Sequence, residues 1–253
     1  MLISNNDNGQ IDQEYDHCRS NEKGTDNSLT KELTVIRSLF MILLMFYTCF
    51  QPYLHGFEAV ADEFDKQSLP LFDGETLAGW EGNAYWFRVE EGAIVAGRLD
   101  EEIPHNEFLC TTQPYDDFEL QLEAKLIGDG QNAGIQIRSK RLPKTTEVSG
   151  YQVDMGQAGK RGVWGALYDE SRRNRMLAEV DPQVHDELVK KGEWNHYRII
   201  CRGRIVTIYL NGKKTVEYQE AEESIPLHGI IGLQIHGGAP SEAWYRNIRI
   251  RQL

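Results

Sequence analysis

The chain has 253 residues, with 39 acidic against 27 basic side chains and a formal net charge of −12. A polyanion of this size repels phosphate backbones and anionic lipid headgroups, which disfavours nucleic-acid or membrane-surface binding. A hydrophobic fraction of 40% with 10% aromatics is enough for a globular core, and four cysteines without C-x-x-C spacing exclude a disulfide-stapled miniprotein and give no sign of a zinc knuckle.

Residues 1–37 are rich in Asn, Asp, Glu and Ser and lack periodic apolar positions, so they read as a disordered leader. Ser38 to Phe50 is a 13-residue apolar run, shorter than a bilayer-spanning helix needs but suited to a signal peptide. Lys31 and Arg37 precede it, and Ala59-Val60-Ala61 follows as a small-x-small cleavage site, so residues 38–61 form a signal-like segment. The expectation is export to the periplasm or the exterior; a buried core helix and an uncleaved anchor are the alternatives. An acidic leader is foreign to signal peptides, so the alternative to a disordered leader is a translation start nearer Leu33 or Val35, with the residues before it an artefact of gene assignment. Cys110 and Cys201 remain after cleavage, either as a disulfide or as two buried thiols.

From about residue 85 onward, period-two alternation dominates. Phe118, Leu120, Leu122, Ala124 and Leu126 share one face, with Glu119, Gln121, Glu123 and Lys125 on the other. Further strands are predicted over 134–138, 151–155, 196–202, 205–210, 230–236 and 244–250. Arg202-Gly203 and Asn211-Gly212 mark hairpins, Phe72-Asp73-Gly74 and Glu91-Gly92 mark earlier corners, and a short helix is predicted over 181–191 with Pro at its first turn. So many strands with one apolar face each imply an all-β sandwich or jelly roll of two sheets. The polar faces carry Glu119, Gln121, Glu123, Gln136, Arg138, Gln152, Asp154, Gln234 and His236. If their strands are neighbours, they form one concave surface suited to hydroxyl-rich ligands. The plainer alternative is a solvated face with cross-strand ion pairs.

A set of motifs, in order, resembles the DUF1080 family. They include Leu77-Ala78-Gly79-Trp80, Asp117-Phe118-Glu119-Leu120, Asn132-Ala133-Gly134-Ile135, Gly150-Tyr151-Gln152-Val153-Asp154, Gly192-Glu193-Trp194-Asn195, Gly232-Leu233-Gln234-Ile235-His236-Gly237 and Tyr245-Arg246-Asn247-Ile248. The similarity covers residues 69–253. This family is described as 3-keto-α-glucoside 1,2-lyase/3-keto-2-hydroxy-glucal hydratase or 3-keto-disaccharide hydrolase, and it implies a concanavalin A-like jelly-roll sandwich of two antiparallel sheets. Many relatives carry Glu and Gln where Gln152 and Asp154 stand, and Ser where Ala133 stands.

The implied activity is elimination or hydration across C1 and C2 of a 3-keto-glycoside, a net hydrolysis without nicotinamide. A separate sugar 3-dehydrogenase must make the ketone. The chemistry needs a base near C2, a donor at the C3 oxyanion and an acid near the leaving oxygen. Glu123 and His236 are the candidate base and acid, Asp154 a third acid-base group, and Arg138 the donor to the enolate. Gln136, Gln152 and Gln234 suit sugar hydroxyls, and Tyr168 and Trp164, with Trp194, suit ring stacking, although sandwich aromatics are usually core. His236, Asp154 and Glu123 form an N/O set that would accept a divalent metal, without a contiguous ligand motif. The Glu-x-Asp-x-x-Glu signature of jelly-roll glucanases is missing, which disfavours a two-carboxylate glycosidase. The competing reading is a non-catalytic, lectin-like carbohydrate-binding module.

Overall fold

The computed structural model describes residues 63–130 and 132–253; the leader and the signal-like segment predicted over 1–61 lie outside the described residues. Alternating sequence becomes two antiparallel sheets. One is built in the order β14 (Lys213–Gln219), β13 (Ile205–Leu210), β12 (Asn195–Arg202), β6 (Phe118–Gly128), β16 (Ser241–Gln252), β4 (Ala93–Arg98) and β3 (Phe87–Glu90), with β1 (Leu69–Pro70) against β16. The other runs β11 (Arg175–Ala178), β10 (Leu167–Glu170), β8 (Val148–Ala158), β7 (Asn132–Arg141), β15 (Ile230–Ile235), β5 (Glu107–Thr111) and β2 (Trp80–Glu81), with β9 (Arg161–Gly162) on β8. The helix α1 (Pro182–Leu188) begins at Asp181, whose carboxylate accepts the backbone N–H groups of Gln183 and Val184.

The core lies between the sheets. Leu120, Leu122, Tyr197, Ile199, Ile208 and Tyr245 from the first sheet meet Ile135, Ile137, Tyr151, Val153 and Leu233 from the second, all essentially inaccessible to water. Their inward position follows from the period of two, and burial of each large apolar side chain stabilises the fold by about 1.5–3 kcal/mol before conformational entropy is charged. Hairpins fall where the sequence places them. Asn211 and Gly212 both have positive φ (49° and 85°), as do Glu91 and Gly92 (50° and 72°), giving the primed turns whose twist matches the strands.

The register corrects one expectation. β6 and β7 are consecutive in the chain but belong to different sheets, so Glu119, Gln121 and Glu123 share no surface with Gln136, Gln152, Asp154 and Gln234. The cysteines are two buried free thiols and not a disulfide, Cys110 on β5 and Cys201 on β12. Burial pushes their titration up to about 11 and about 12, so both stay protonated and unreactive at neutral pH. No helix among the described residues is long and apolar enough to cross a membrane.

Candidate active site

Because Ile135, Ile137, Tyr151, Val153 and Met155 point inward, their neighbours Gln136, Gln152 and Asp154 must point out of the second sheet. Tyr168 stands opposite Gln152, which stands opposite Gln136; in the next row Asp154 pairs with Gly134, and Gly134 with Gln234. This outer face is not solvated in the ordinary way, since Gln136, Gln152, Asp154 and Gln234 are all at least 96% buried. Buried polar groups must be paired or be costly.

Most of them are paired, in one direction. The Ser139 hydroxyl donates to Gln136 Oε1 (2.8 Å), Gln136 Nε2 to Gln152 Oε1 (2.6 Å), and Gln152 Nε2 to Asp154 Oδ1 (2.8 Å). The chain of donors ends on the carboxyl and fixes the orientation of both amides. Gly134 makes room for it: a Cβ there would lie 2.6 Å from Gln152 Cγ and Cδ. Gln234 is the exception, because neither its amide nitrogen nor its carbonyl oxygen has a hydrogen-bond partner among the described residues. Leaving such a group buried costs about 1–3 kcal/mol, a penalty a bound ligand can remove.

The core anchors this face from behind. Tyr245 donates its hydroxyl to the carbonyl of Gln234 (2.6 Å), with the Gly134 carbonyl at 3.2 Å, and Tyr197 donates to the carbonyl of Asp154 (2.9 Å). Two tyrosines of the first sheet therefore hold the backbone of β8, β7 and β15 at Asp154, Gly134 and Gln234. Burial keeps both phenols protonated far above their ordinary range, so they remain donors.

Burial also pushes the Asp154 carboxyl up to about 7, against the opposing hydrogen bond from Gln152, and the nearby charge of Glu170 adds to the rise. Glu170 is itself raised, by burial first and then by Glu147, while Ser171 and His236 oppose the shift. The Ser171 hydroxyl lies 3.3 Å from a carboxylate oxygen of each of these two glutamates. Tyr168 is held protonated by burial and by the charges of Glu170, Asp154 and Asp169. The result is a carboxyl poised near neutrality, a second carboxyl and a phenol at the adjoining strand, and an unpartnered amide across from them.

Of the residues predicted for the site, Asp154, Gln136, Gln152, Gln234 and Tyr168 share this face, and exposed His236, just past β15, reaches it electrostatically. Its Nδ1 lies 2.6 Å from the Gly237 carbonyl. Glu123 is not among them: it projects from the outer face of the first sheet, where Arg246 Nε (2.7 Å) and Asn247 Nδ2 (2.8 Å) donate to it. Arg138 is not there either. Its backbone has φ +47° at a β7 bulge, and its buried guanidinium donates to the carbonyls of Asp116 (2.9 Å) and Gly203 (2.6 Å) and to the Asp117 carboxylate (2.6 Å). Trp164 is core, stacked on Tyr197 with ring centroids 6.2 Å apart. With Glu123 on the other sheet, the His236, Asp154 and Glu123 metal set is not assembled, and no group of three or more His, Cys, Asp or Glu among the described residues could hold an ion. Sequence reasoning missed Glu170, Glu147 and Ser139. The spacing of Tyr168 and Glu170, two apart, was the available signal for the first of them.

Two antiparallel sheets packed face to face place the chain in the concanavalin A-like class of β-sandwiches. A Bacillus subtilis protein of unknown function with a galectin-like fold matches it at a TM-score of 0.56 and 14% identity, over 73% of this chain and 94% of that one, a likeness of fold alone. Residues 67–251 match the 3-keto-alpha-glucoside-1,2-lyase-like domain, and the chain belongs to that family. The 3-keto-disaccharide hydrolase of Bacteroides thetaiotaomicron is 25% identical over 252 residues, covering 76% of this chain and 83% of the relative. A candidate glycosyl hydrolase from Parabacteroides distasonis ATCC 8503 has a solved structure with a TM-score of 0.55 and 25% identity, over 74% of this chain and 99% of that one.

Proposed function

We propose that this protein cleaves 3-keto-glycosides by elimination and rehydration across C1 and C2, on the buried polar face of the second sheet. The observation that carries the reading is the Asp154 carboxyl, poised near pH 7 by burial, in one cross-strand row with the unpartnered amide of Gln234 across Gly134. A ketone at C3 acidifies the C2 proton. Asp154 takes that proton, and the electron pair moves onto the C3 oxygen as an enolate. A carboxylate whose conjugate acid titrates near 7 is a stronger base than an ordinary Asp and can return the proton at the same pH. The Gln234 amide N–H donates to the enolate oxygen, which satisfies a donor that otherwise has no partner.

Collapse of the enolate expels the glycosidic oxygen from C1 and leaves a 2-hydroxy-3-keto-glucal. Glu170, whose titration burial and then Glu147 raise, is the acid that protonates the leaving oxygen, with the Tyr168 phenol beside it. Water then adds to C1 as its second proton passes to the Glu170 carboxylate, Asp154 protonates C2 after its carboxyl proton has exchanged with solvent, and the sum is hydrolysis. Gln136 and Gln152 act as positioning residues, aligning Asp154 through the chain that begins at Ser139. The ketone comes from a separate sugar 3-dehydrogenase, and the signal-like segment assigns this protein's own step to exported sugar metabolism.

The test is incubation with 3-keto-trehalose or 3-keto-lactose, watching for release of glucose. Turnover of either is the expected result. No turnover of any 3-keto-glycoside or 3-keto-glucal, together with binding of unoxidised glycans, overturns the reading in favour of a binding module; release of sugar from unoxidised disaccharides overturns it in favour of an ordinary glycosidase.

A further inference from the structure

The outer face of the first sheet holds a polar cavity, of about 510 Å³, a size typical of small-molecule sites. It lies over β6, β12 and β16, beneath the helical turn at residues 63–67, and is lined by Gln121, Glu123, His196, Asn247, Arg249 and the apolar wall of Phe64. A bulge in β16 between Arg246 and Arg249 puts Asn247 at φ +53° and brings its amide to the cavity. Bulges of this kind re-aim side chains.

The formal charges here are already paired. Glu123 Oε2 accepts from Arg246 and Asn247, and Arg249 is held by the Ser68 hydroxyl (2.9 Å) and by the carbonyls of Ser68 (2.9 Å) and Asp65 (3.2 Å). Gln121 Nε2 donates to Glu119 (2.8 Å). These bonds leave Gln121 Oε1, Asn247 Oδ1 and Glu123 Oε1 as acceptors and Arg249 Nη1 as a donor. The imidazole of His196 makes no hydrogen bond among the described residues, and burial favours its neutral form, with one donor and one acceptor nitrogen.

Free donors and free acceptors thus both line a surface whose charges cancel locally. A cation meets Arg246 and Arg249, and an anion meets Glu123 and Asp65. A hydroxyl group both donates and accepts, and fits either kind of vacancy. From this geometry we infer that the cavity binds a neutral polyhydroxylated ligand, a sugar ring or an acyclic polyol, at a site separate from the buried face of the second sheet. The inference stands independently of the reaction proposed above.

The test is a titration of the full, ¹⁵N-labelled chain with maltose and, separately, with sorbitol, followed through the imidazole nitrogens of His196. Saturable shifts with maltose alone identify a sugar site, and with sorbitol a polyol site; either supports the inference. Asn247→Gly keeps the positive φ and removes the side-chain amide, so it should weaken the binding by roughly 3–10-fold without lowering the melting temperature by more than a few degrees. No shift of His196 with either compound overturns the inference, as does a shift that Asn247→Gly leaves unchanged. Perturbations confined to Gln234 and its neighbours overturn it too, while leaving the proposed catalytic face intact.

Discussion

Replacing Asp154 by Asn separates the cost of burying this carboxyl from its use in catalysis. The group titrates at 3.8 in an ordinary setting and at about 7 in the fold. Between those values the folded protein keeps a proton that the unfolded chain has lost, so the unfolding free energy declines as pH rises through the window. The whole decline from this group is about 4 kcal/mol, complete above pH 7 and absent below pH 4. Asn accepts the same hydrogen bond from Gln152 and has no charge to bury. Its extra N–H costs about 1–3 kcal/mol if unpaired, but that cost does not change with pH. The difference in stability between variant and wild type should therefore shift in favour of the variant by about 3–4 kcal/mol from pH 4 to pH 8. For a domain of this size that is roughly 6–15 °C in melting temperature. Urea or thermal denaturation of both proteins across the range reads it out. Parallel pH curves for the two would show that Asp154 ionises as an exposed aspartate does, and the reasoning about the site would fail with it.

Three further substitutions follow from the same structure. Arg138→Met leaves two carbonyls and the half-exposed Asp117 carboxylate without their buried cation and should cost about 2–3 kcal/mol in urea denaturation, whereas a residue on an open face would cost about 1 or less. Gln234→Leu removes two unpartnered buried atoms, so stability should hold or rise while turnover of a 3-keto-glycoside falls about a hundredfold or more. Gly134→Ala sets a methyl against Gln152 and should lower turnover at least about tenfold by displacing the amide that holds Asp154, with binding of substrate changed less than the rate.

The strands and their inward faces were legible because one face is apolar and the other polar, which fixes side-chain direction wherever alternation runs for five residues or more. Alternation does not say which sheet a strand joins. Glu123 on β6 and Gln136 on β7 look equivalent in sequence and stand on opposite sides of the sandwich. It also fails at bulges: Arg138 follows Ile137 in phase, but the left-handed backbone turns it towards Asp117. β5 escaped notice because all five of its residues are buried, and β10 because four residues show each face only twice. Asp154 and Gln152 were visible as polar positions in an apolar strand, whereas Glu170 acquires its shifted titration only from the packing of β10 against β8 and the approach of Glu147.

The central claim is that the glycosidic bond breaks after loss of the C2 proton rather than by direct displacement at C1. Cleavage of a 3-keto-disaccharide in D₂O, with an enzyme-free control for spontaneous exchange, tests it most directly. Elimination and rehydration predict a released 3-keto-glucose with deuterium at C2, and Asp154→Asn should abolish both cleavage and labelling. Enzymatic cleavage with protium retained at C2 would contradict the account.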